Sequence, residues 1–357
     1  MDWSACASFW VRCRLVLRRD AAVPGMSDLY PLLMSPIFDP RPWGTMDLSP
    51  LYPNHRFDKK IGEAWLTGDH CEVANGPLRG KSLAELSLRY GSELVGTAVE
   101  NPNRFPLLVK FLFPHEKLSV QVHPDDAAAR RAGQPCGKTE CWYVAQAKPG
   151  AQVALGLKPG TTREAFEQSI QQMRAEELLN WINVFPGEMI YVAGGTVHTL
   201  GPGSIIVETQ QQSDTTYRLY DYGRPRELHL QQGLSVMKEE TGSGKVLRPA
   251  PEQVSGTRNR RAPLVASSYF VVEMLELKDP QEFQTTDDSG KNSVQILTAV
   301  EGCGVVEAAG AEPVTLAKGD AVVFPAAIGQ FRVRPQWSIE FLKSSLPGKT
   351  MPEPAVR

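Results

Sequence analysis

Short runs of apolar residues alternating with polar ones, broken by glycine, proline and aspartate, dominate this chain. They predict strands over residues 106–113, 118–123, 140–147, 189–192 and 204–208. Two stretches change to helical spacing. Residues 81–96 carry Leu83, Leu86, Leu88 and Leu94 and stop beside Gly96, and Thr161-Thr-Arg-Glu164 opens a capping-box pattern that runs through Phe166, Ile170, Met173 and Leu178 to about Trp181. Many short strands with two decorating helices predict an all-β jelly roll rather than an alternating α/β sheet.

The alternation also sorts chemistry. In Leu118-Ser-Val-Gln-Val-His123 it places Leu118, Val120 and Val122 on one face and Ser119, Gln121 and His123 on the other. The same rule sends Lys138, Glu140 and Trp142 to one side of the 140–147 strand, and leaves Cys141 on the other. Gly187-Glu-Met-Ile-Tyr-Val-Ala-Gly-Gly-Thr-Val-His198 runs a strand through a glycine turn onto a histidine. Gln121, His123, Glu140 and His198 thus offer one amide oxygen, two imidazoles and a carboxylate. That set suits one borderline divalent cation, zinc first, with a position left open. His55, His70, His115 and His229 lie outside any such pattern and read as structural or surface residues.

These motifs, with Arg41-Pro-Trp-Gly44, Gly62-Glu-Ala-Trp65, Pro106-Leu-Leu-Val-Lys110 and Gln211-Gln-Ser-Asp-Thr-Thr-Tyr-Arg218, resemble the zinc-dependent type I phosphomannose isomerases in their short bacterial form, over roughly residues 29–347. The resemblance implies tandem cupin barrels with a few helices on the first, and Gln121, His123, Glu140 and His198 as ligands of one Zn2+ per chain. It also implies interconversion of mannose 6-phosphate and fructose 6-phosphate through an enediol. In that reading Arg218 is the catalytic arginine, and Lys138 and Glu208 are the two candidates for the acid/base. Ser119 and Lys110, with Lys138 nearby, would hold the phosphate, and Glu63 and Trp65 would line the sugar pocket, Trp43 and Trp142 being packing residues. One departure is Ala193, where the cupin turn G-x5-P-x-G-x2-H has proline. Two other readings stay open: a non-catalytic sugar-phosphate-binding cupin, and an iron cupin oxidoreductase built on the two histidines and one carboxylate.

The remaining sequence sets the domain expectation. Residues 26–240 read as the catalytic zinc cupin, 241–258 as a Gly/Ser/Pro linker, 259–347 as a second cupin and 348–357 as a tail. Gly319-Asp-Ala-Val-Val-Phe-Pro325 repeats part of the cupin turn, but no histidine follows His229, so the second barrel reads as metal-free. Residues 1–25 fit neither barrel. Arg12 and Arg14 interrupt their apolar run, which argues for a flexible extension and against an export signal. With 38 basic and 40 acidic residues among 357 there is no basic field for nucleic acid, and no apolar stretch reaches membrane-spanning length. Six cysteines without a CxxC pair suit free thiols in a cytoplasmic monomer acting on a small molecule.

Overall fold

A computed structural model describes residues 28–247, 250–287 and 289–357; the extension expected over residues 1–25 lies outside the described residues. The fold is all-β with few helices, and every strand pairing is antiparallel. Three sheets are stacked through two interfaces. The middle one runs in the order Gly244–Lys245, Met189–Val192, Glu140–Ala147, Ser204–Gln211, Leu107–Leu112, Ile61–Trp65, Ile37–Thr45. A five-stranded sheet, Tyr217–Tyr220, Val120–Val122, His198–Leu200, Gln152–Leu157 and Leu179–Asn183, closes the first barrel against it.

Antiparallel register decides which middle-sheet side chains face that barrel. Trp65 stands opposite Lys110, Lys110 opposite Glu208, and Glu208 opposite Trp142, so all four share one face. Glu140 lies opposite Gln210 on the same face. The other face carries Val109, Phe111, Cys141, Tyr143, Tyr191 and Val207, and these enter one apolar cluster with Leu264, Val272, Ile296, Val323 and Leu342 of the ten-stranded sheet and with Phe270 just before one of its strands. Dry packing on one face and polar chemistry on the other thus follow from the period of two.

The second barrel is filled by Leu275, Leu297, Val322, Phe324, Phe331, Val333 and Phe341, with Phe324 and Phe331 stacked at 3.8 Å. Its sheet also recruits Leu32–Ser35, which pairs with Ala321–Phe324. The first strand among the described residues therefore lies in the later barrel's sheet, across the boundary drawn from sequence. The 241–258 segment is partly stranded, since Gly244–Lys245 extends the middle sheet and Glu252–Gln253 pairs with Arg260–Ala266. Residues of the 348–357 stretch return to it, with Val356 bridging Val246.

Both helical expectations need correction at their ends. Leu83–Tyr90 is capped by a Ser82/Glu85 capping box as the sequence suggests, but Gly91 at φ +52° breaks it before the short Ser92–Val95 helix. Leu88, 71% exposed, faces solvent rather than the core. Arg163–Gln171 is capped by Thr162, not Thr161, and ends where Met173 takes φ +58°. After a 3-10 turn, Trp181 sits in the strand Leu179–Asn183. Leu118 also departs from its predicted face. The strand begins only at Val120, so Leu118 packs with Trp43 and Trp142, whereas Val120 and Val122 pack under Phe166 and Ile170.

Because the apolar face of the middle sheet is completed by the second barrel, deleting residues 259–357 should yield a species that aggregates and binds a hydrophobic dye. Light scattering after size exclusion checks this; a monodisperse, dye-negative fragment would show that the first barrel stands alone.

Candidate metal centre

The two histidines reach one point from different elements. Gln121 and His198 are register partners in the five-stranded sheet, and Arg218 is the partner of Gln121 on its other side, so Arg218, Gln121 and His198 form a row facing the middle sheet. Opposite them stands Glu140 at the start of its strand. One ligand atom each from His123, Glu140 and His198 lies within 4.8 Å of the others, all three residues being buried. The imidazoles' Nε2 atoms are each 3.5 Å from a different oxygen of Glu140.

Hydrogen bonds on the far side of each ring set this aim. His123 Nδ1 donates to the Thr215 carbonyl and His198 Nδ1 to the Thr196 carbonyl, both at 2.9 Å, which leaves both Nε2 lone pairs turned inward. Burial holds both rings neutral, His198 down at about 4 and His123 well below its usual range. Gln121 Nε2 lies 3.2 Å from His198 Nε2; a half-turn of the amide would present its oxygen instead. Glu140 Oε2 is buried, with the Lys138 ammonium 3.1 Å away and His123 Nε2 at 3.5 Å. Neutral inward-facing imidazoles beside such a carboxylate fit a bound divalent cation.

The turn before His198 works without the proline that the cupin pattern expects. Thr196 Oγ1 donates to the Ala193 carbonyl at 2.7 Å, and Ser243 Oγ accepts from Ala193 N–H at 2.9 Å. A Cβ on Gly194 would meet Asp125 Cα at 2.7 Å, and Gly195 takes φ +94°, so glycine is required at both places.

A cavity of about 270 Å3 opens beside these ligands, lined by Glu63, Lys110, Ser119, Gln121, Lys138, Glu208 and Arg218 among others. Larger clefts of about 670 and 660 Å3 lie elsewhere and include none of the four candidate ligands. Lys138 Nζ is 3.1 Å from both His123 Nε2 and Glu140 Oε2, and 3.9 Å from Glu208 Oε1. Trp142 Nε1 donates to Glu140 Oε1 and Glu208 Oε2, each at 3.1 Å, tying the two carboxylates together. Burial and the nearby Glu140 raise the Glu208 carboxyl above its ordinary range despite Lys110 and Lys138.

Trp43, read as packing, does pack with Leu118 and Trp142 and also lines the cavity; Trp65, read as a pocket wall, is not among the lining residues and donates to Glu63 Oε2 at 2.7 Å under the Lys110 ammonium. Lys110 is itself enclosed, 3.2 Å from Glu63 Oε2 and 3.1 Å from Glu208 Oε1. Arg41, Asp214, Thr216 and Arg226 also line the cavity and were not foreseen as site residues. Asp221 holds Arg226 by two hydrogen bonds of 2.7 Å, and His229 Nδ1 accepts from the Arg218 backbone N–H at 3.2 Å. The Asp-Tyr-Gly-Arg-Pro-Arg turn chemistry after Arg218 was the available signal. Cys141 faces the opposite apolar cluster, and burial raises its thiol well above the usual range.

A model of the type I phosphomannose isomerase catalytic domain matches residues 44–168 of the chain. The mannose-6-phosphate isomerase ManA of Bacillus subtilis is 33% identical over 317 residues, covering 85% of this chain and 95% of that protein. The mannose-6-phosphate isomerase of Streptococcus mutans is likewise 33% identical, over 84% of this chain and 93% of its own length. Among solved structures, that of the Bacillus subtilis mannose 6-phosphate isomerase superposes with a TM-score of 0.78 at 31% identity, covering 88% of this chain and 99% of that one.

Burial would raise the Glu63 carboxyl, but Lys110 and Arg41 overcome it and hold it down at about 2. Between 4.5 and that value the unfolded chain binds a proton that the folded one refuses, so stability falls as pH drops through this window. Glu63→Gln should therefore be less stable than the parent at pH 7 yet lose less on acidification. Denaturant midpoints from pH 7 to 3 check this; parallel curves would refute it.

Proposed function

The chain belongs to the type I phosphomannose isomerases, and from that premise we propose how its own residues interconvert mannose 6-phosphate and fructose 6-phosphate. It is an aldose–ketose isomerase, so a proton must move between C2 and C1 of a sugar whose phosphate is anchored elsewhere. The observation that carries the reading is the pair of histidines locked by backbone carbonyls with both Nε2 atoms facing Glu140, beside a cavity lined with cations.

We assign His123, His198 and Glu140, with Gln121 as fourth ligand, to one zinc ion. Once bound, the ion supplies Lewis-acid polarisation of the sugar oxygens. Glu208 is our choice for the acid/base. Burial and Glu140 raise its carboxyl above the ordinary range, the direction that favours proton shuttling, and Trp142 and Lys110 hold one oxygen each. Lys138 and Arg218 donate to the sugar oxygens where negative charge grows during enolisation. Arg218 has a buried Nε without a partner among the described residues, while its Nη1 donates to the Glu227 carbonyl at 2.7 Å. The phosphate sits at the Ser119 end of the cavity, with Arg226 contributing charge.

We take a monomer as the working unit. Four described cysteines are free, supporting a cytoplasmic location. No helix among the described residues is long and apolar enough to cross a membrane.

Chelation should abolish turnover and zinc should restore it, while His123→Ala and Glu140→Ala should lose metal and activity together. Metal analysis alongside a coupled assay for fructose 6-phosphate decides; either variant retaining stoichiometric zinc and near-parental rates would overturn the ligand assignment.

Arg218→Lys should keep zinc and fold but lower kcat by about 10²-fold with KM little changed, because an ammonium cannot present a planar fork of donors. Ser119→Ala should chiefly raise KM, by about tenfold, the effect of losing one hydrogen bond to a charged group. Steady-state kinetics of both variants with mannose 6-phosphate test the split; a change confined to KM at Arg218 would move it to the phosphate.

A further inference from the structure

Lys110, like Lys138, is an almost fully enclosed cation of the cavity. Its residue is only 4% exposed, and its ammonium lies between Glu63 Oε2 at 3.2 Å and Glu208 Oε1 at 3.1 Å. Glu63 is itself fastened, accepting from Trp65 Nε1 at 2.7 Å and from Arg41 Nε at 3.0 Å. Glu208 is fastened on its other oxygen by Trp142 Nε1 at 3.1 Å. From Arg41 to Trp142 this forms one chain of contacts across five neighbouring strands of the middle sheet.

A phosphate dianion placed on Lys110 would stand within a few ångström of two buried carboxylates already sharing that lysine. The repulsion would be strong in so dry a place. The same two carboxylates need the lysine, because removing it would leave two like charges buried together.

We propose that Lys110 and Glu63 form a positioning pair that orients the Glu208 carboxylate toward the sugar, and that Lys110 is not a phosphate contact. This rests on the acid/base reading of Glu208 given above. Register explains the pairing: Lys110 stands directly opposite Glu208, and Glu63 reaches it from the next strand. Trp65, under the ammonium at 5.4 Å, closes the remaining side.

Lys110→Met and the double variant Lys110→Met/Glu63→Gln separate positioning from anchoring, the double variant removing one charge of each sign so that folding is preserved if the single change is too disruptive. In both, kcat for mannose 6-phosphate should fall about 10²-fold, as for a small misplacement of a reacting group. KM and the inhibition constant of inorganic phosphate should stay within about threefold of the parent, with metal content unchanged. A tenfold or greater rise in both constants with kcat retained would overturn the proposal, as would parental kcat in the double variant. If the parent protein does not turn over mannose 6-phosphate, it is the isomerase reading that fails. Thermal stabilisation by inorganic phosphate, intact or lost in Lys110→Met, then still decides whether Lys110 anchors the anion.

Discussion

Ionisable groups removed from water must neutralise one another or carry a desolvation cost of several kcal/mol apiece, and the interior of the first barrel is built around that constraint. Glu63, Lys110, Lys138, Glu140 and Glu208 are all buried there, with His123 and His198 beside them. Lys110 links Glu63 to Glu208, Trp142 links Glu208 to Glu140, and Lys138 touches Glu140 and His123. Lys110 meets its counterparts on the two neighbouring strands, and Lys138 meets Glu140 at the start of the strand it leads into. A strand slipped by one residue would turn these groups into the apolar layer, so the charge network and the sheet register enforce each other.

The second barrel contributes by covering the reverse side of the same sheet. Val109, Phe111, Cys141 and Tyr143 alternate with Lys110, Leu112, Glu140 and Trp142, so burying one set orients the other. Rigid support behind the strands limits how far Glu140 and Glu208 can move, and prealigned groups reduce the reorganisation that a reaction demands. A structural role for a barrel filled with Phe324, Phe331 and Phe341 is thereby linked to the chemistry of its neighbour.

Much of the site was legible because its strands obey a period of two over local sequence. Gln121 and His123, then Lys138, Glu140 and Trp142, declare their common side within a few residues of one another. The strand bounds Glu140–Ala147 and Met189–Val192 agree with the alternation residue for residue. Arg41, Asp214, Thr216 and Arg226 escaped notice because they enter the cavity from irregular or bulged segments, where no period assigns a side. That Trp43 lines the cavity while it packs, and that Trp65 does not line it, was hidden for a related reason: a cavity wall and a packing surface require the same apolar ring.

The amino-acid sequence by itself determined the all-β character, the family, the alternation that separates polar from apolar faces, and the candidate ligand set. These depend on short-range periodicity and on residue types at fixed local spacing. Tertiary structure alone decided that Leu32–Ser35 joins the later barrel's sheet, that Gly91 and Met173 end their helices early, and that Lys110 is shared by Glu63 and Glu208. Each of these turns on which distant strand or side chain occupies the neighbouring space. Strand partners are chosen by burial and register over the whole chain, and no local pattern encodes that choice.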